Sequence, residues 1–118
     1  MLYTNLKHIE SDADYQRTIQ ENENVLIICG RMDHLCIPVY RIAEELEQEY
    51  ASVNFYDMEF DNPQSAVLRT LPEVIALAGI PFTLCYKNGI IVKAISGLQT
   101  KAQVRAILDH EFATTLNA

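Results

Sequence analysis

The side chains of this chain best suited to nucleophilic or ligand chemistry are three cysteines, Cys29, Cys36 and Cys85, and three histidines, His8, His34 and His110. No two of Cys29, Cys36, His8, His34 and His110 form a close pair matched by a second close pair, so the spacing of a metal site is absent and no metal or other cofactor is expected. An odd number of thiols in a chain large enough to bury a core is not the framework of a disulfide-stapled secreted domain, and reduced thiols are expected. What remains is the cluster Met32-Asp33-His34-Leu35-Cys36, which lies between an apolar run closed by Gly30 and a long amphipathic segment. A thiol attacks as its thiolate, which a helix N-terminus favours and a neighbouring carboxylate disfavours. Asp33 reads either as an N-cap, accepting a hydrogen bond from the amide of Leu35 or Cys36, or as a general base for Cys36 or an incoming thiol. Cys36 reads either as a lone nucleophile that forms mixed disulfides or as a small buried packing residue. His34 either tunes that thiol or is solvated.

The elements that must position this cluster follow from the hydrophobic pattern. Val25 to Cys29 is a continuous apolar run of strand length, the mark of a central strand covered on both faces, and Gly30 ends it. From about His34 to Tyr50, Val39, Ile42, Ala43, Leu46 and Tyr50 fall at helical spacing with Glu44, Glu45, Glu47 and Glu49 opposite, which predicts an amphipathic helix with Pro38 in its first turns. That acidic face is either solvated or a lure for a basic partner. Ser11 and Asp12 predict a capped helix through Ile19, and Val53 to Phe60 a second central strand. Asn62-Pro63 opens one short helix, and Thr70-Leu71-Pro72-Glu73 opens another through a capping box. Lys87-Asn88-Gly89 joins two antiparallel strands, Pro81 to Tyr86 and Ile90 to Ile95. Thr100 and Gln103 form a further capping box ahead of a helix with Val104, Ile107, Leu108 and Phe112 on one face, and the last six residues are expected to fray.

Composition bounds what this arrangement can do. One hundred and eighteen residues without a linker predict a single domain spanning 1–118. Sixteen Asp and Glu against nine Lys and Arg give a net charge of -7, which removes the electrostatic affinity that nucleic acids and acidic membranes require. The first ten residues carry no basic-then-apolar leader and no apolar run exceeds a strand's length, so a cytoplasmic location is expected.

The order β, α, β, α, β, α, β, β, α, counted from a short opening strand near Leu2 to Leu6, resembles the thioredoxin family over nearly the whole chain. The segment Gly79-Ile80-Pro81-Phe82-Thr83-Leu84-Cys85-Tyr86-Lys87-Asn88-Gly89 is similar to the family's cis-proline and hairpin, and Ser96-Gly97-Leu98 before a capped helix continues the match. The resemblance implies an α/β thioredoxin fold: a central mixed sheet of four or five strands, helices on both faces and a cis Pro81 before the C-terminal hairpin. It places Cys36 at the second cysteine of the family's Cys-x-x-Cys motif and Asp33 at the first, so that Asp-His-Leu-Cys stands for Cys-Gly-Pro-Cys, with Met32 for the preceding tryptophan. Ile28 falls at the family's buried carboxylate, Asp57 at the lysine facing it, and the segment from Asp61 to Pro81 is longer by a helical turn or more. A groove formed by Met32, His34, Ile80 and Pro81 would then hold a client protein or peptide in extended conformation. The resemblance implies an accessory, protein-binding module without efficient dithiol exchange, with a monothiol oxidoreductase using Cys36 as the alternative. A third reading pairs Cys29 with Cys36, although strand alternation turns Cys29 away from the face that carries Cys36.

Overall fold

A computed structural model describes residues 2–112; the six C-terminal residues expected to fray lie outside the described residues. Five strands form one sheet, β1 (Lys7–Ile9), β2 (Asn24–Gly30), β3 (Asn54–Glu59), β4 (Phe82–Lys87) and β5 (Ile90–Ser96), in the order β1-β3-β2-β4-β5. β3 runs parallel to both β1 and β2, whereas β4 is antiparallel to β2 and to β5, so the sheet is mixed. β2 is central because Val25 through Gly30 are all buried and no polar side chain interrupts them.

Alternation along β2 splits the core into two layers. Leu26 and Ile28 pack with Val39, Tyr40, Ala43 and Leu46 of α2 (Ile37–Glu47) and with Leu108 of α5 (Lys101–Glu111). Val25, Ile27 and Cys29 pack on the other face with Tyr15 of α1 (Asp12–Glu21) and Leu68 of α3 (Ala66–Arg69), where Tyr15 and Tyr86 share a buried hydrogen bond of 2.7 Å. The N-caps of α1 and α5 form as expected: Ser11 Oγ accepts from the Asp14 amide at 3.0 Å, and Thr100 and Gln103 make both bonds of a capping box, at 3.1 and 2.9 Å. The hairpin turn places Asn88 at φ 53° and Gly89 at φ 80°, the left-handed pair that its sequence predicts.

Three expectations are corrected. The opening strand is Lys7–Ile9 and not the Leu2 to Leu6 segment: Leu2 and Leu6 are buried as core side chains, while Lys7, His8 and Ile9 pair with Tyr56, Asp57 and Met58. α2 begins at Ile37, three residues later than the apolar period suggests, because residues 34–36 form a tight turn in which the Cys36 and Ile37 amides both bond the Asp33 carbonyl, at 3.2 and 2.9 Å. Thr70 and Glu73 make no capping box. Pro72 forces the residue before it out of the helical region, so Leu71 (φ -64°, ψ 136°) starts the short helix α4 (Pro72–Ile75), and the Thr70 hydroxyl instead donates to the Ala66 carbonyl at 2.7 Å. Part of the Glu-rich face is engaged within the chain: Lys101 reaches Glu45 of α2 at 2.9 Å and Glu49, just beyond α2, at 3.4 Å, and Arg105 reaches Glu49 at 2.8 Å, which ties α5 to this helix while both carboxylates stay exposed.

Candidate binding groove at the carboxyl end of the central strand

The register of β2 and β4 brings two distant parts of the chain to one end of the sheet. Cys29 pairs with Phe82, so the loop that follows β2 and the Gly79-Ile80-Pro81 segment that precedes β4 meet there, joined by the end of β3 where Gly30 pairs with Glu59. The Ile80–Pro81 peptide bond is cis and Gly79 sits at φ 136°. Pro81 is buried, whereas Ile80 is half-buried. The Ile80 amide and carbonyl make no backbone hydrogen bond among the described residues, while the neighbouring Pro81 carbonyl accepts from Gly97 at 2.8 Å.

On the loop side, Asp33 Oδ1 accepts from the amides of Leu35 at 3.0 Å and Cys36 at 2.8 Å, so Asp33 caps the 34–36 turn that leads into α2, whose own first flanking residue, Cys36, makes no side-chain cap bond. These bonds, the Cys36 amide first, hold the Asp33 carboxyl below its ordinary value of 3.8. Cys36 has no exposed surface. Its Sγ accepts from the Arg31 amide at 3.4 Å. Burial raises the Cys36 thiol, the Arg31 amide opposes that, and the hydrogen bonding and charge of Asp33 raise it further, so the protonated thiol is the favoured form. Met32 packs at the edge of the core and its Sδ accepts from the Tyr3 amide at 3.3 Å, while His34 is exposed beside Leu35. Cys29 and Cys36 belong to opposite core layers and all three cysteines are free thiols, so no Cys29–Cys36 bridge is present. Burial pushes Cys29 and Cys85 up to about 12.

Two features escape a reading of the sequence. The first is an open cavity of about 340 Å³ beside Ile80, lined also by Arg31, Phe60, Arg69, Val74 and Phe82. Arg31 and Arg69 stand far apart in sequence and nothing in their spacing announces a shared site. The second is a polar cluster on the α2 side of the sheet. Asp57, next to Ile28 in register and fully buried, takes hydrogen bonds from the Thr4 hydroxyl and from His8 Nδ1, the latter at 2.6 Å. The alternation of β3, which puts Asp57 on the same face as Phe55, was the available signal; its partner His8 depended on placing β1 correctly. Burial raises the Asp57 carboxyl, and the bonds from His8 and Thr4 oppose it. Among the described residues no group of acidic, histidine and cysteine side chains could hold a metal ion, and no helix is long and apolar enough to cross a membrane.

No protein-family model and no curated protein matches the sequence. Solved structures do match in three dimensions. A thioredoxin from Plasmodium falciparum superposes with a TM-score of 0.75 at 18% identity, covering 90% of this chain and 99% of that one. Thioredoxin O2 from Arabidopsis thaliana gives 0.75 at 13% identity over 94% of this chain and 97% of that one, and a thioredoxin from Trypanosoma brucei brucei 0.75 at 16% over 96% of each. The five-stranded mixed sheet flanked by helices is therefore a thioredoxin fold.

Proposed function

We propose that this chain is a thioredoxin-like binding module: it keeps the groove beside Pro81 for an extended segment of a client protein and lacks the dithiol that would make it an efficient disulfide exchanger. The observation that carries the reading is the backbone donor and acceptor of Ile80, which have no backbone partner among the described residues, at the lip of an open cavity. An extended chain laid there would gain main-chain hydrogen bonds as one strand gains them from another. Asp33 occupies the place of the attacking cysteine and acts as a cap, and Cys36, which takes the place of the second, is a buried thiol held in its protonated form. On the loop side the cavity is lined by Arg31, while Met32, His34 and Leu35 follow it on the same loop and would meet the part of a client that extends beyond the cavity. Exchange through Cys36 alone has no second thiol to resolve a mixed disulfide, so turnover of insulin disulfides with a thioredoxin reductase is expected at background rate.

The test separates this reading from a monothiol oxidoreductase. The folded protein is treated with iodoacetamide at neutral pH and the label located, and clients are captured with the native chain and with Cys36→Ser. Slow labelling of Cys36 and equal capture by both proteins are the expected results. Rapid labelling of Cys36, with clients lost from Cys36→Ser, would transfer the assignment to mixed-disulfide chemistry.

A further inference from the structure

We infer that the cavity beside Ile80 selects client segments carrying a carboxylate side chain, with Arg69 as the group that pairs with it; this rests on the groove reading above and specifies its partner. The chain has five arginines. Four of them already hold carboxylates: Arg17 pairs with Asp14, Arg31 with Asp61, Arg41 with Glu44 and Arg105 with Glu49. Arg69 is the exception. Its Nε donates to Ser65 Oγ at 2.8 Å and its Nη2 to the Pro63 carbonyl at 3.4 Å, both neutral oxygens, and no carboxylate lies within ion-pair distance of it among the described residues. Asp61, whose carboxyl feels the Arg69 charge, has both oxygens engaged by Arg31, at 2.8 and 3.0 Å. In a chain of net charge -7, a guanidinium that holds no carboxylate of its own among the described residues is a departure from the rule that the other arginines follow.

The group is also held in place. Ser65 is buried, donates its hydroxyl to the Phe60 carbonyl at 2.6 Å and receives Arg69 Nε on the same oxygen, which fixes the direction of the guanidinium. Arg69 Cζ lies 5.7 Å and Arg31 Cζ 5.1 Å from the centre of the Phe60 ring, so the aromatic face orients both cations at the cavity. A guanidinium carries five N–H donors in a rigid fork, and those that Ser65 and Pro63 leave free match a carboxylate. Ile80, Val74 and Phe82 supply the apolar remainder of the lining. In an extended client, residues two apart point the same way about 7 Å from each other. The fitting segment therefore has Asp or Glu near an apolar side chain on one face of an extended strand.

The experiment is selection of a display library of random decapeptides on the full native chain and on Arg69→Gln, with thermal melts confirming that both fold. Selected peptides are then mapped by amide chemical-shift changes. The expected result is at least a threefold enrichment of Asp and Glu over the input library on the native chain, lost on Arg69→Gln, with shifts centred on residues 60 and 79–82. Peptides that bind at those residues without acidic enrichment would overturn the role given to Arg69 and leave the groove standing. Peptides that bind elsewhere, or no selectable binding, would overturn both. Arg69→Lys supplies a further check: it keeps the charge without the fork, so an undiminished preference in that variant would reduce the pairing to net charge and remove the bidentate assignment.

Discussion

Asp33 is a residue whose chemistry is decided by what it is bonded to. Two amide donors stabilise its ionised form, so it contributes to folding wherever it is charged, and that contribution is lost as the pH falls through its lowered folded value, below 3.8. Asp33→Ala is expected to lower the urea midpoint at neutral pH by about 0.5 M, and Asp33→Asn by much less because its amide oxygen still accepts. The gap between native protein and Asp33→Ala should narrow as the pH is taken below 3.8. Equal midpoints for all three proteins at neutral pH would remove the cap and make Asp33 the first residue to pursue as a general base. Cys36, by contrast, was legible only in part: its place after Asp33 could be read, but its complete burial and its bond from the Arg31 amide come from the path of the loop.

At the scale of elements, the local signals that held were those in which one residue satisfies its own neighbourhood. Ser11, Asn62 and Thr100 cap as their spacing predicts, whereas Thr70 fails because Pro72 moves the helix start one residue on. Thr100→Ala should destabilise the chain by about 1 kcal/mol in chemical unfolding, and Thr70→Ala by clearly less, since an exposed hydroxyl bonded back to Ala66 caps nothing. The junction of β2 and α2 is tighter than either element suggests. A Cβ added at Gly30 would lie 2.8 Å from the Tyr40 hydroxyl and 2.9 Å from Cys36 Sγ, so Gly30→Ala is expected to cost about 1–3 kcal/mol and to expose Cys36 to alkylation. A variant that stayed as stable as the native chain, with a protected thiol, would show that the junction can give way.

For the whole molecule, the sheet and its two helical layers were legible because a buried central strand, a hairpin turn and amphipathic periods are properties of short segments. The contacts that join distant segments were not: Thr4, His8 and Asp57 come from β3 and the chain leading into and through β1, and the approach of Arg31 and Arg69 to the Phe60 ring joins the loop after β2 to the connection between β3 and β4. The first of these sets the pH response. Because the Asp57 carboxyl is raised by burial, its protonated form is the one the fold prefers, and its contribution falls as pH rises through that folded value. Asp57→Asn, which retains an acceptor for Thr4, should therefore gain stability relative to the native chain as urea unfolding is repeated from pH 4 to pH 8. A difference that stays constant or runs the other way would mean that the bond from His8 outweighs the burial of the charge.

Ile80 has a consequence of its own. It is the half-buried side chain that packs against both core layers, on either side of the sheet. A ligand seated on it presses on two otherwise separate blocks at once. Amide exchange in α2 and α5 and amide exchange in α1 and α3 should then slow together when the groove is filled, whereas a molecule bound to one helical face would protect one block and leave the other exchanging at its free rate.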